Sequence, residues 1–184
     1  MRMRKRWWAI VVVAGLAVTA AAAVAATDSN FGTHLKGKYE VPLRATNAQG
    51  QAFFRVADDG QSIDYKLIAS NIDNAFMAHI HMSVPVAGVD PKDQTGGIVV
   101  WLFPSTAVVQ GPKGAGRHDG VLAEGTITVA NLVGGLAGHP LSDLLAAIAD
   151  GRTYVNVHTD DNDPATSNAP GDFPAGEIRG QLGN

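Results

Sequence analysis

The chain has 184 residues, 46% of them apolar, with 14 basic and 17 acidic side chains and no cysteine. That length and apolar content suit one domain with a sizeable core. The lack of cysteine excludes a disulfide-stapled fold, thiolate metal ligands and a cysteine nucleophile, and the acidic balance argues against a nucleic-acid partner.

The chain opens with Arg2, Arg4, Lys5 and Arg6, followed by an apolar run from Trp7 to Ala26 that ends Ala23-Val24-Ala25-Ala26. A basic start, an apolar middle and a small-residue end predict a secretory signal peptide over residues 1–26, cut after Ala25 or Ala26. The run is about as long as a membrane span, so a retained N-terminal anchor is the alternative. Residues 27–184 then form a single domain with ten basic against seventeen acidic residues, a balance of −7. The expected location is secreted, periplasmic or cell-surface, with membrane contact only if the leading segment stays uncleaved.

Phe31 to Pro42, ending Tyr39-Glu40-Val41-Pro42, reads as a first strand, with the proline marking an edge or a strand end. Asn47–Gln51 reads as a turn and Ala52–Val56 as a strand. The Asp58-Asp59-Gly60-Gln61 turn then leads into a returning strand over Ser62–Ala69. Phe76–Met82 places His79 and His81 on one face of a strand and Ile80 and Met82 on the other. After a loop over Ser83–Gly97, the unbroken apolar stretch Ile98–Phe103 predicts a strand central to the sandwich. Gln110–Gly120 reads as loop, and Val121–Val129 as a strand. Leu141, Leu144, Leu145 and Ile148 form one stripe, which predicts a helix over Pro140–Ala149 with Gly151 just beyond it. The fold class is therefore all-β, an antiparallel sandwich with one short inserted helix.

The stretch from Gly151 to Gln181 is the most specific. Tyr154–Thr159 and Glu177–Leu182 alternate strictly, so Val155, Val157, Ile178 and Leu182 are expected to point inward. Tyr154, Asn156 and His158, with Glu177, Arg179 and Gln181, are then expected on outward faces. Solvation alone asks only for Lys, Glu, Thr or Ser. An imidazole, a carboxamide, a carboxylate and a guanidinium together read as a site.

The chemistry these residues offer is metal ligation. Two histidines at alternate positions of a strand project the same way and can converge on one ion, and His158 supplies a third nitrogen. Imidazole suits zinc and copper. Asn156 or Glu177 can hydrogen-bond the distal ring nitrogens. Arg179 is expected to pair with Glu177, Glu40 or a loop carboxylate, or else to steer an anion to an open metal position. His34, His118 and His139 read as surface residues, with His118 and then His139 as reserve ligands. The acidic loop of Asp160, Asp161, Asp163 and Asp172 offers oxygen ligands for calcium but lacks the offsets of an EF-hand, and a solvated loop is the better reading. No nucleophile elbow, His-Glu-x-x-His, phosphate-binding or dinucleotide motif is present, so any enzymatic chemistry would depend on a bound metal.

Glu40-Val41-Pro42, Ala78–His81, Gly97–Leu102, Gly125–Ile127, Tyr154–Thr159 and Gly176–Leu182 resemble successive blocks of the CHRD domain, named for chordin and found also in exported microbial proteins. The resemblance implies an immunoglobulin-like β-sandwich and brings no agreed activity with it. Met82-Ser83-Val84-Pro85 stands where that family has a glycine-rich step, and Asp160–Asp172 is longer than the family's link. In pattern alone, a His-x-His with a later strand histidine is also similar to the copper site of the Cu/Zn superoxide dismutases, which are Greek-key β-sandwich proteins. Two functions follow as expectations. The first is a non-enzymatic exported binding module whose ligand is a protein or a metal ion. The second is a copper-dependent redox or copper-carrying protein.

Overall fold

Alternating segments become eight antiparallel strands: β1 (Asn30–Lys36), β2 (Gln49–Val56), β3 (Ile63–Asp73), β4 (Ala75–Ser83), β5 (Gly96–Phe103), β6 (Arg117–Ile127), β7 (Thr153–Thr159) and β8 (Ile178–Leu182). The structure, a computed structural model, describes residues 30–165 and 168–183. The signal peptide or anchor expected over residues 1–26 lies outside them. No helix among the described residues is long and apolar enough to cross a membrane.

The hydrogen-bonded order is β5-β4-β7-β8-β1-β2-β3-β6. The pair Lys36–Arg179 joins β8 to β1, linking the four-stranded halves β5-β4-β7-β8 and β1-β2-β3-β6 into one eight-stranded sheet. Asn74, with φ of 56°, turns β3 directly into β4 and carries the chain from one half to the other. Tyr65 on β3 donates from its hydroxyl to the Leu102 carbonyl of β5 at 2.6 Å, tying the halves together at the opposite side. The result is the expected all-β, sandwich-like arrangement, with α1 (Leu141–Ala149) as its one α-helix among the described residues. Leu67, Ile80, Leu102, Val155, Val157, Ile178 and Leu182 are fully buried in one apolar cluster to which α1 adds Leu141, Leu144 and Ile148. Each such side chain stabilises the fold by about 1.5–3 kcal/mol relative to exposure.

Four expectations are corrected. The first strand stops at Lys36, because Gly37 begins a turn of 3-10 helix in which its carbonyl accepts from Glu40 N and Arg44 N. Ile98–Phe103 lies on β5 at the end of the pairing order rather than centrally. It is apolar on both faces because Val133 N donates to Val99 O and Leu132 bridges Val100, so the 129–136 segment covers the edge. The strand expected from Val121 begins at Arg117, which puts His118 on β6 instead of in a loop.

The fourth correction bears on the site. Tyr154, Asn156, His158, Glu177 and Arg179 do not face solvent; all seven residues of β7 are buried. Alternation separates an apolar face from a polar one correctly, but here loops close over the polar face. Arg44 Nε donates to Gly176 O, Thr46 donates to Glu177, and Phe173 N donates to Thr159 Oγ1. The sandwich thus has a second, polar interior above β4, β7 and β8.

Candidate metal centre

His79 and His81 share a face of β4, as residues two apart on a strand must. On β7, Asn156 is directly opposite His79, and Tyr154 opposite His81. His158 stands diagonally from His79, within reach of a ring. His79 Nδ1 and His158 Nε2 come to 3.0 Å. One ring nitrogen from each of the three histidines lies within 4.8 Å of the others, and all three residues are buried.

Main-chain carbonyls orient two of the rings. His81 Nδ1 lies 2.9 Å from Gly96 O, and His158 Nδ1 lies 2.9 Å from Pro174 O. A carbonyl only accepts, so both Nδ1 atoms carry the proton and both Nε2 atoms keep a lone pair. His158 Nε2 must then accept from His79 Nδ1. His79 Nε2 and His81 Nε2 are buried without a partner. Neutral rings fixed in tautomer by backbone carbonyls, with the lone pairs of the opposite nitrogens turned towards one another, are how proteins hold imidazole ligands.

The electrostatics agree. Burial, with His158 and His81 nearby, pushes His79 down to about 2. Burial lowers His158 to about 4 against the opposing Pro174 carbonyl, and burial lowers His81 as well. All three are neutral, the form that ligates. Two nitrogens each 2.0–2.1 Å from one ion stand roughly 3 Å apart at tetrahedral or square angles. The His79–His158 separation already meets that spacing.

Aromatic rings line the cluster. Trp101 meets His79 edge-to-face at 4.3 Å, and Tyr154 stacks on His81 at 4.9 Å with only 6° between planes. The Arg179 guanidinium lies 3.5 Å above the other partner in this stack, the Tyr154 ring. It donates to Gln181 from Nη2, while Nη1 has no hydrogen-bond partner. Arg179 makes no ion pair with Glu177. Glu40 is the carboxylate with the largest influence on it, and burial outweighs Arg179 and Arg44 to raise the Glu40 carboxyl to about 7. Asn156 lies close enough to His81 and Glu40 to influence both, yet its Oδ1 has no partner of good geometry. A cleft of about 460 Å³ lined by Tyr39, Glu40, Lys92, Arg179 and Gln181 opens on this side.

The structure therefore brings together His79, His81 and His158, with Asn156 and Arg179 beside them. Glu177 serves elsewhere: its carboxylate accepts from Thr46, Thr159 and Gly171 N. The reserve histidines stay apart, His34 beside Gln51, His139 on Asp143 and His118 on β6. Sequence reasoning missed Trp101 and the carbonyls of Gly96 and Pro174. The carbonyls carry no residue-type signal, since any residue offers one. Trp101 was legible only as part of an apolar strand.

The CHRD domain model matches residues 31–165. The match runs from β1 through β7 and stops before the Gly176–Leu182 block, to which the sequence resemblance had extended. No curated protein and no solved structure matches the chain. With most of the chain, seven of its eight strands and all three histidines inside the matched span, the chain belongs to the CHRD domain family.

Proposed function

We propose that this chain is an exported binding module that holds one copper or zinc ion through His79, His81 and His158. The observation that carries the reading is the convergence of three neutral, buried imidazoles, two of them oriented by main-chain carbonyls, with ring nitrogens left unsatisfied. A buried polar atom without a partner costs about 1–3 kcal/mol. A bound ion would recover that energy at His81 Nε2, and would replace the His79 N–H as the partner of His158 Nε2. Ligation by His79 through Nδ1 would move its proton to Nε2. Binding, rather than catalysis, is the function that CHRD membership supports.

Export rests on the basic-apolar-small order of residues 1–26. A protein partner is the other ligand class open to a module of this family, and the metal could serve such a partner or simply brace the fold.

The test is metal analysis of untagged protein after dialysis against metal-free buffer, followed by titration with copper and zinc. One ion per chain, lost when the histidines are replaced by alanine, is the expected result. Protein that neither retains nor takes up either ion would overturn the reading and leave a protein-binding module. Superoxide dismutation by the copper-loaded form would instead establish the redox alternative.

A further inference from the structure

The loop after β7 contains a second cluster with different chemistry. Asp160, Asp161 and Asp172 each bring a carboxylate oxygen within 4.8 Å of the others. The sequence alone favours a solvated acidic loop over a calcium loop, but Asp160 and Asp172 are buried, 8% and 3% exposed. They border a cavity of about 240 Å³ together with Asn162, Asp163 and Lys113. Like charges brought together under cover are unfavourable without a compensating cation.

Several carboxylate oxygens in this loop are committed. Asp160 Oδ1 accepts from Asn162 N at 2.8 Å, Asp161 Oδ1 from Asp163 N at 2.8 Å, and Asp163 Oδ1 from Ala165 N at 2.9 Å. Asp160 Oδ2 pairs with Lys113 Nζ at 2.6 Å. Asp172 differs: its Oδ2 is buried and has no hydrogen-bond partner. Burial, then the charges of Asp161 and Asp160, raise its carboxyl above the usual carboxylate range. A carboxylate buried beside other carboxylates, with one oxygen lacking a hydrogen-bond partner, is suited to hold a cation.

We propose that Asp160, Asp161 and Asp172 form a calcium site separate from the histidine cluster, with Asp163 at its rim. All donors are carboxylate oxygens, which suit hard divalent ions over copper or zinc. Calcium accepts irregular geometry at 2.3–2.6 Å, so oxygens on one ion stand at most about 5 Å apart. The observed spacing satisfies that limit. Magnesium needs a near-ideal octahedron at shorter distances, which three side chains on an irregular loop do not supply. The Lys113 ammonium is the resident counter-charge. Its side chain is 43% exposed, so it can swing into solvent as the ion enters.

The probe is calcium chloride alone, added at constant ionic strength to chain expressed at full length, purified untagged and stripped of transition metals. Thermal unfolding and calorimetric titration are the readouts. The expected result is a saturable rise in the unfolding midpoint with a dissociation constant on the order of 10⁻⁵ to 10⁻³ M, and a much weaker response to magnesium. Asp172→Asn should weaken calcium binding at least tenfold. Because it removes the buried repulsion, it should be folded and no less stable than the parent without calcium. Asp161→Asn serves as the second variant should Asp172→Asn fail to fold. Lys113→Gln, which removes the competing cation, should bind calcium more tightly, and His81→Ala should keep the full calcium response. No saturable response up to about 10 mM calcium, or unchanged binding in both Asp variants, would overturn the proposal.

Discussion

His79 Nδ1 on β4 and His158 Nε2 on β7 lie 3.0 Å apart, although 79 residues separate them in the chain. Neither ring can be moved cheaply, since Trp101 packs on one and the Pro174 carbonyl holds the other. A site assembled in this way does not require the ion to gather its ligands. The first prediction follows directly. Alanine at His79, His81 or His158 should each reduce copper and zinc affinity by more than tenfold, about 1.4 kcal/mol or more, in calorimetric titration. Alanine at His118 or His139 should leave the affinity unchanged. Equal affinity in His158→Ala and the parent would reduce the centre to a His-x-His pair.

The metal-free protein should be acid-labile in a defined window. An unfolded histidine binds its proton near 6.5, whereas folded His158 does so near 4 and His79 near 2. Their stabilisation is therefore fully present above 6.5 and lost as pH falls towards the folded values. Each proton taken up only by the unfolded chain costs about 1.4 kcal/mol per pH unit. Glu40 acts in the opposite sense between 4.5 and 7, but one group does not offset three. The unfolding midpoint should fall as pH is lowered from 6.5 to 4.5, and less so in a variant with all three histidines replaced by glutamine.

Glu40 gives a separate test with the reverse sign. Its folded carboxyl titrates near 7 against 4.5 when unfolded. The stability it confers is full below 4.5 and disappears as pH rises through 7. Glu40→Gln should match the parent at low pH and exceed it above pH 7 by up to about 3 kcal/mol. Denaturant unfolding at both ends of this range measures the difference; parallel curves would show that the carboxyl is not buried as described.

Gly176 is where backbone and site meet. Its φ is +123°, and a Cβ there would stand 2.6 Å from Glu40 Oε1 and 2.8 Å from Asn156 Nδ2. Gly176→Ala therefore combines a conformation that side chains avoid with a clash in the polar interior. Its expected cost is about 1–3 kcal/mol, together with weaker metal binding as Asn156 is displaced. A fully stable Gly176→Ala would show that the loop sits differently over β7.

Val157 lies on the opposite face, fully buried among Ala78, Ile178 and the rest of the core. Val157→Asp places an unpaired carboxylate there, which should cost more than about 4 kcal/mol and prevent folding at ordinary temperatures. Loss of the far-ultraviolet β-sheet signal would confirm the face assignment.

Local pattern determined a good deal. Alternation in Phe76–Met82, Tyr154–Thr159 and Glu177–Leu182 identified strands whose inward faces are Ile80, Val155, Val157, Ile178 and Leu182, because a strand's two faces are fixed by a period of two. The stripe of Leu141, Leu144 and Ile148 located α1 to within a residue, since helix periodicity and capping are local properties. The same reasoning put His79 and His81 on one face without knowledge of any partner strand.

Tertiary structure decided the rest. That β7 pairs with β4, and in a register setting His158 diagonal to His79, depends on pairing between distant segments. That the polar face is an interior depends on loops whose covering contacts run through backbone groups such as Gly176 O and Pro174 O. Those groups are the same in every sequence. Burial also turned Asp160 and Asp172 from a solvated run into a cluster. A side chain's type is written in the sequence, but its solvent is set by everything that folds around it.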